Sequence, residues 1–187
     1  MLLPLFGAIA LVSAAPASHA GDTSLVIGLA ASPTVLHTPV IEHRTPLVAD
    51  SVVVEKAKRT LTLFAAGLPI RSYQVALGTQ PSGDKIRQGD GRTPEGIFRI
   101  DYKNAQSKYH MALHISYPDA AHIQRADALG VSPGGDIMIH GLPDKFASLG
   151  VAHRDYNWTE GCIAVTDEEI EEIWRAVPKG SPVQIKP

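Results

Sequence analysis

Turn-forming residues constrain this chain more than any other feature. It carries 16 glycines and 14 prolines among 187 residues. That density argues against a bundle of long helices and for short strands joined by tight turns. An apolar fraction of 44% is enough to build a core. The net charge is −2, with both signs mixed along the chain. No stripe of lysine and arginine of the kind that grips a phosphate backbone is present, so no nucleic-acid partner is expected.

From about Ala49 apolar residues recur with strand-like period. Ser51–Ala57, Thr60–Phe64, Leu68–Leu77, Ile97–Ile100, His110–Ile115, Asp136–His140 and Pro182–Lys186 read as strands. A short helix is expected over Ala120–Leu129. A stronger one follows Thr166, where Thr166-Asp-Glu-Glu169 forms a capping box and Ile170, Ile173, Trp174 and Val177 share one face. Trp174 is expected to be core.

The N-terminus reads as an export signal. Leu2–Val12 is a short apolar run, and Ser18-His19-Ala20 fits a small-x-small cleavage site. The expected organisation is a signal peptide over 1–20, a linker or irregular extension over 21–49, and one folded domain over 50–187. The mature chain would act in the periplasm or cell envelope.

Cys162 is the only cysteine, so no internal disulfide can form. It sits in the turn Trp158-Thr159-Glu160-Gly161-Cys162, and upstream the strand Ile137-Met138-Ile139 delivers His140 onto Gly141. A thiol nucleophile needs a base, because little thiolate exists unaided at neutral pH. His140 is that base by this reading, acting either during attack or through a preformed ion pair. A glycine before the nucleophile lets substrate approach and frees backbone N–H groups for an oxyanion. A side chain at Gly161 is expected to crowd the substrate carbonyl with little loss of folding. Of the eight histidines, His110, His114, His122 and His153 are expected to have structural or surface roles.

These segments resemble the L,D-transpeptidase catalytic domain, or YkuD domain. The resemblance rests on Gly89-Asp-Gly-Arg-Thr-Pro-Glu-Gly96, Ser116-Tyr-Pro118, Pro133-Gly-Gly-Asp-Ile-Met-Ile-His-Gly141 and Thr159-Glu-Gly-Cys162, and it runs from about Ala49 to Pro187. It implies a mainly β fold, a twisted sandwich or barrel with a few short helices. It also implies that Cys162 attacks a carbonyl of a peptidoglycan tetrapeptide stem. His140 would then shuttle the proton, and the Gly141 carbonyl would orient the imidazole. Backbone N–H groups near Gly161 and Cys162 would bind the oxyanion. An amine acceptor, on a second stem peptide or a wall-linked protein, would resolve the thioester. Members of this family are acylated by carbapenems. No cofactor or metal is implied. Thr159 occupies the family's hydroxyl position and is expected to shape the turn or the donor site.

Two positions depart from the commonest family pattern. Glu160 stands where many members have His, and Ala164 where many have Arg or Asn. Arg92 and Arg154 are candidates to bind a substrate carboxylate in compensation. Three other functions compete. Water could resolve the thioester, which would make the enzyme a carboxypeptidase, endopeptidase or amidase. His140, His153, Asp155 and Cys162 could bind zinc. The domain could also bind the wall without catalysis, and then the thiol would be inert.

Overall fold

The computed structural model describes residues 47–187. The expected signal peptide and most of the expected extension lie outside these residues. The last residues of that extension belong to the fold: Ala49 is fully buried and its N–H bonds the Ala176 carbonyl.

Eight strands and two α-helices follow. The strands are β1 Ser51–Glu55, β2 Thr60–Ala65, β3 Leu68–Gln74, β4 Gly96–Ser107, β5 His110–Ile115, β6 Met138–His140, β7 Ile163–Ala164 and β8 Pro182–Lys186. The helices are α1 Ala120–Ala128 and α2 Asp167–Ala176. The sheet order is β3-β2-β1-β8-β4-β5-β6-β7. The fold is mainly β with few helices, as the resemblance implies.

Alternation sets which faces meet. Val52 and Val54, Leu61 and Leu63, and Val183 and Ile185 point inward on β1, β2 and β8, while the residues between them face out. The twelve-residue β4 joins the two halves of the sheet. Its start, Gly96–Arg99, pairs with β8, and from Ile100 onward it pairs with β5. Beyond β3, Ala76 exchanges two 2.9 Å backbone hydrogen bonds with Ala164 of β7. This contact brings the two ends of the strand order together.

The sequence-derived strands differ from the structure at three places. The run Leu68–Leu77 loses its regular pairing after Gln74, because the following residues turn to meet β7. The strand expected from Asp136 starts at Met138, because Asp136 has a left-handed backbone (φ 54°) that no strand accommodates. The segment Asp144–Asp155 forms 3₁₀ turns kinked at Gly150 (φ 47°), with no apolar period to announce them.

The capping box at α2 is present. Thr166 Oγ1 accepts the Glu169 N–H at 3.4 Å, and Glu169 Oε2 accepts the Thr166 N–H at 3.0 Å. Ile170, Ile173 and Ala176 are buried beneath the helix, whereas Trp174 is only partly buried and packs at the edge of the core. Thr166→Ala is expected to lower stability by about 1–2 kcal/mol. Denaturant titration should show a lower midpoint at an unchanged slope.

Candidate active site

Strand register brings His140 and Cys162 together. β6 and β7 are parallel, with Ile139 opposite Ile163 and His140 opposite Ala164. Side chains alternate, so Ile139 and Ile163 enter the core and are fully buried. Cys162, one residue before β7, has the same parity as Ala164 and so falls on the face that carries His140. Both residues line two grooves. One, of about 320 Å³, is walled by Tyr109, Phe146 and Trp158. The other, of about 580 Å³, is walled by Asn104, Gln106, Tyr109 and Met138.

His140 is buried, and its Nδ1 lies 2.7 Å from the Gly141 carbonyl oxygen. A carbonyl can only accept, so Nδ1 carries the proton and Nε2 keeps its lone pair. The Tyr109 ring lies 4.4 Å from the imidazole, centre to centre, and Trp158 meets it edge-on at 5.8 Å. Gly141 is required by close approach: a Cβ there would fall 2.6 Å from an Asp167 carboxylate oxygen and 3.1 Å from the Tyr109 carbonyl oxygen.

Burial holds the imidazole neutral, down to a pKa of about 4, although the Gly141 carbonyl opposes this and nearby His153 assists it. Burial likewise pushes the Cys162 thiol above its ordinary value. Both shifts favour a resting pair of thiol and neutral imidazole over a thiolate–imidazolium pair. The thiol points at the Asp136 carbonyl oxygen, 3.6 Å away.

Thr159 builds the turn. Its hydroxyl donates to the Cys162 carbonyl at 2.7 Å and accepts the Gly161 N–H at 3.2 Å. This corrects one expectation: the Gly161 N–H already has a partner, and the Cys162 N–H is the one without a protein acceptor among the described residues. The reason for Gly161 also changes. A Cβ there would sit 2.5 Å from the Arg92 carbonyl oxygen, so it would collide with the fold and not with open space over the thiol.

The two candidate arginines lie elsewhere. Arg92 donates to the Asp84 carbonyl at 3.2 Å, and only its backbone reaches the Gly161 turn. Arg154 is held by both oxygens of Glu169, and its carbonyl receives Arg59. Neither lines a groove at the thiol. Ala164 is fully buried, paired with His140 of β6 on one side and with the Ala76 backbone on the other. Among the described residues no three His, Cys, Asp or Glu side chains converge as a metal site. The sequence reading missed the aromatic walls Tyr109, Phe146 and Trp158, of which only Trp158 stood in a motif.

His153 is buried with Trp158 Nε1 3.5 Å from its Nδ1, and burial, with Arg154 beside it, lowers its pKa to about 4. His140 and His153 are thus neutral in the fold and charged once unfolded below about pH 6.5. A depressed base contributes fully above its unfolded pKa, and that stability is lost as pH falls from about 6.5 to about 4. His140, the more deeply buried of the two, accounts for up to about 3 kcal/mol, and His153 for less. Unfolding free energy measured across that range should fall. His153→Gln, which keeps an acceptor but cannot charge, should flatten the slope.

Comparison with known proteins decides the family. The L,D-transpeptidase catalytic domain model matches residues 49–185. The chain belongs to the L,D-transpeptidase catalytic domain family. Among its relatives is YafK of Escherichia coli (strain K12), 30% identical over 149 residues, which cover 75% of this chain and 53% of YafK. The chain thus spans about half the length of the curated relatives it matches. Among solved structures, the helical cell shape determining protein Pgp2 of Campylobacter jejuni superposes with a TM-score of 0.57 at 25% identity, covering 73% of this chain and 47% of Pgp2. Bd1075 of Bdellovibrio bacteriovorus shares the fold at a TM-score of 0.51 and 20% identity, over 75% of this chain and 51% of that one. In this L,D-transpeptidase domain the family's His-Gly and Thr-x-Gly-Cys segments are the ones that β6 and β7 place side by side.

Proposed function

We propose that this domain is a cysteine-dependent acyltransferase of peptidoglycan stem peptides, with Cys162 as nucleophile and His140 as general base. One observation carries this reading: an imidazole locked by the Gly141 carbonyl shares two grooves with the chain's single thiol. His140 Nε2 takes the thiol proton as sulfur attacks the carbonyl carbon of the donor. The Cys162 N–H donates to the developing oxyanion. The C–N bond then breaks, the leaving amine takes the proton from His140, and a thioester remains. Two grooves meeting at one sulfur suit a donor and an acceptor, so transfer to an amine is favoured over hydrolysis. Arg92 and Arg154 drop out of the substrate contacts, and Thr159 acts by holding the turn.

Intact mass measured after exposure to a tetrapeptide stem, with and without an amine acceptor, tests the reading. A thioester adduct on Cys162 that the amine discharges as a new amide is the expected result. Discharge by water alone, at a rate indifferent to amine, would make the domain a hydrolase. Absence of any adduct would overturn the reading.

Export is proposed on the N-terminal residues, which lie outside the described structure. The mature protein should begin at or near Gly21 and be recovered from the envelope. An intact N-terminus in the cytoplasmic fraction would refute this.

A further inference from the structure

We infer that Glu160 is a specificity-determining residue that receives the ammonium group of the acyl acceptor beside the thioester; this rests on the proposed acyl transfer. Three carboxylates around the site are occupied. Asp90 is held by Lys85 at 2.9 Å and by the N–H groups of Ile86, Arg87 and Arg92. Asp167 accepts the Leu142 N–H at 2.7 Å, and Glu169 holds Arg154. Asp136 is mostly exposed, with His114 Nε2 3.8 Å away. Glu160 is exposed, lies two residues before the nucleophile, and has neither an ion-pair nor a hydrogen-bond partner for its carboxylate among the described residues, so it is free to take a ligand.

Its position is as telling as its lack of a partner. Glu160 lines the aromatic groove at Cys162, and it also lines a polar groove of about 390 Å³ shared with Lys85, Gln88, Ser132 and Asp136. The buried Lys85 charge in that groove is neutralised by Asp90, so its remaining charge is negative. Glu160 joins the polar groove to the aromatic one, and the exposed Asp136 joins it to the second groove at Cys162, so two carboxylates border the thiol. A primary amine reaches an enzyme at neutral pH as an ammonium ion, because its pKa lies near that of lysine, about 10.4. A carboxylate at the junction raises the local concentration of that cation and orients it with a charge-assisted hydrogen bond.

Transfer then balances. The ammonium loses one proton to water, and its nitrogen bonds the thioester carbonyl carbon. The C–S bond breaks, and the second proton passes through His140 to the departing sulfur. The net products are an amide, the free thiol and one proton. Glu160 forms no covalent bond; it selects cationic nucleophiles over neutral ones.

The test compares two acceptors on one acyl-enzyme. Cys162 is acylated with a synthetic tetrapeptide stem. The thioester is then discharged by Nα-acetyl-lysine amide, which is cationic, or by hydroxylamine, which is neutral at pH 7. In Glu160→Gln, discharge by the lysine derivative is expected to fall at least tenfold in kcat/KM, mainly through KM. Thiol acylation and hydroxylamine discharge should stay unchanged. Glu160→Asp should restore part of the loss. High salt should weaken the wild type toward the variant, as screening requires. Equal use of the lysine derivative by wild type and Glu160→Gln overturns the inference and leaves the proposed acyl transfer standing. An equal fall for both nucleophiles overturns it too, because that pattern means damage to the turn. No adduct on wild-type Cys162 removes the acyl-transfer reading itself, and this inference with it.

Discussion

Cys162→Ala is expected to form no covalent adduct with a stem peptide or a carbapenem and to show no turnover, while folding as the wild type does. The thiol is the only sulfur nucleophile of its kind in the chain and sits at the junction of two grooves. His140→Ala should keep the thiol but acylate roughly 10²–10⁴-fold more slowly, the usual worth of a positioned base. Its resting state sharpens the expectation. Burial lowers the imidazole's pKa to about 4 and raises that of the thiol, so on the proposed mechanism the base is expected to act during attack. Alkylation of wild-type Cys162 by iodoacetamide should therefore rise with pH and show no reactive plateau between about pH 4 and pH 7. A plateau there would mean that an ion pair is already formed. His122→Ala and His153→Ala should change acylation far less. His122 is tied to Asp119 at 2.6 Å and Asp84 at 3.2 Å, away from the grooves at the thiol. An adduct on the Cys162→Ala protein, or wild-type acylation by His140→Ala, would refute the mechanism.

Gly161→Val should be the most damaging single change that leaves every catalytic atom in place. Gly161 has φ +130°, where side chains are strained, and its missing Cβ faces the Arg92 carbonyl oxygen at 2.5 Å and Ile137 Cδ1 at 3.1 Å. Backbone strain and overpacking together should cost about 2–5 kcal/mol of stability. Among molecules that still fold, the turn must move by up to about 1 Å, which is worth about 10²-fold in acylation rate. Gly67→Ala serves as the control. Gly67 also has a positive φ, +76°, but nothing lies within 4 Å of its Cβ position. It should lose about 1 kcal/mol by strain alone and acylate normally. Normal stability and acylation in Gly161→Val would show that the Arg92 segment and the thiol turn are not packed as described.

Glycine, at these positions, reports on neighbours that local sequence does not name. Gly78, Gly91 and Gly161 come from three distant segments. A Cβ on Gly78 would meet the Gly91 carbonyl oxygen at 2.2 Å and the Gly161 Cα at 3.2 Å. Gly91 and Gly161 stood in turn motifs of the sequence, and the packing of all three against one another was not visible there.

The division between sequence and tertiary structure follows the range of the forces involved. Alternation, the capping box and the thiol on its glycine turn are patterns within a few residues, so the regular strands and α2 were legible from residues alone, whereas the pairing of Cys162 with His140 was read from the family resemblance. The kinked 3₁₀ stretch and the two-residue β7 were not, because neither has a period of its own and each exists only where a partner covers it. Long side chains were the least legible. Arg154 and Arg92 were candidates to bind a substrate carboxylate, but Arg154 is held by Glu169 and Arg92 donates to the Asp84 carbonyl, contacts across the fold. Glu160 looked like a departure from pattern, and only the folded grooves show it without a partner at their junction. Residue identity supplied the thiol, the imidazole and the glycine turns that carry them. The parallel register of β6 and β7 decided that Cys162 and His140 would line the same grooves, since backbone pairing acts between segments that the chain alone does not bring together.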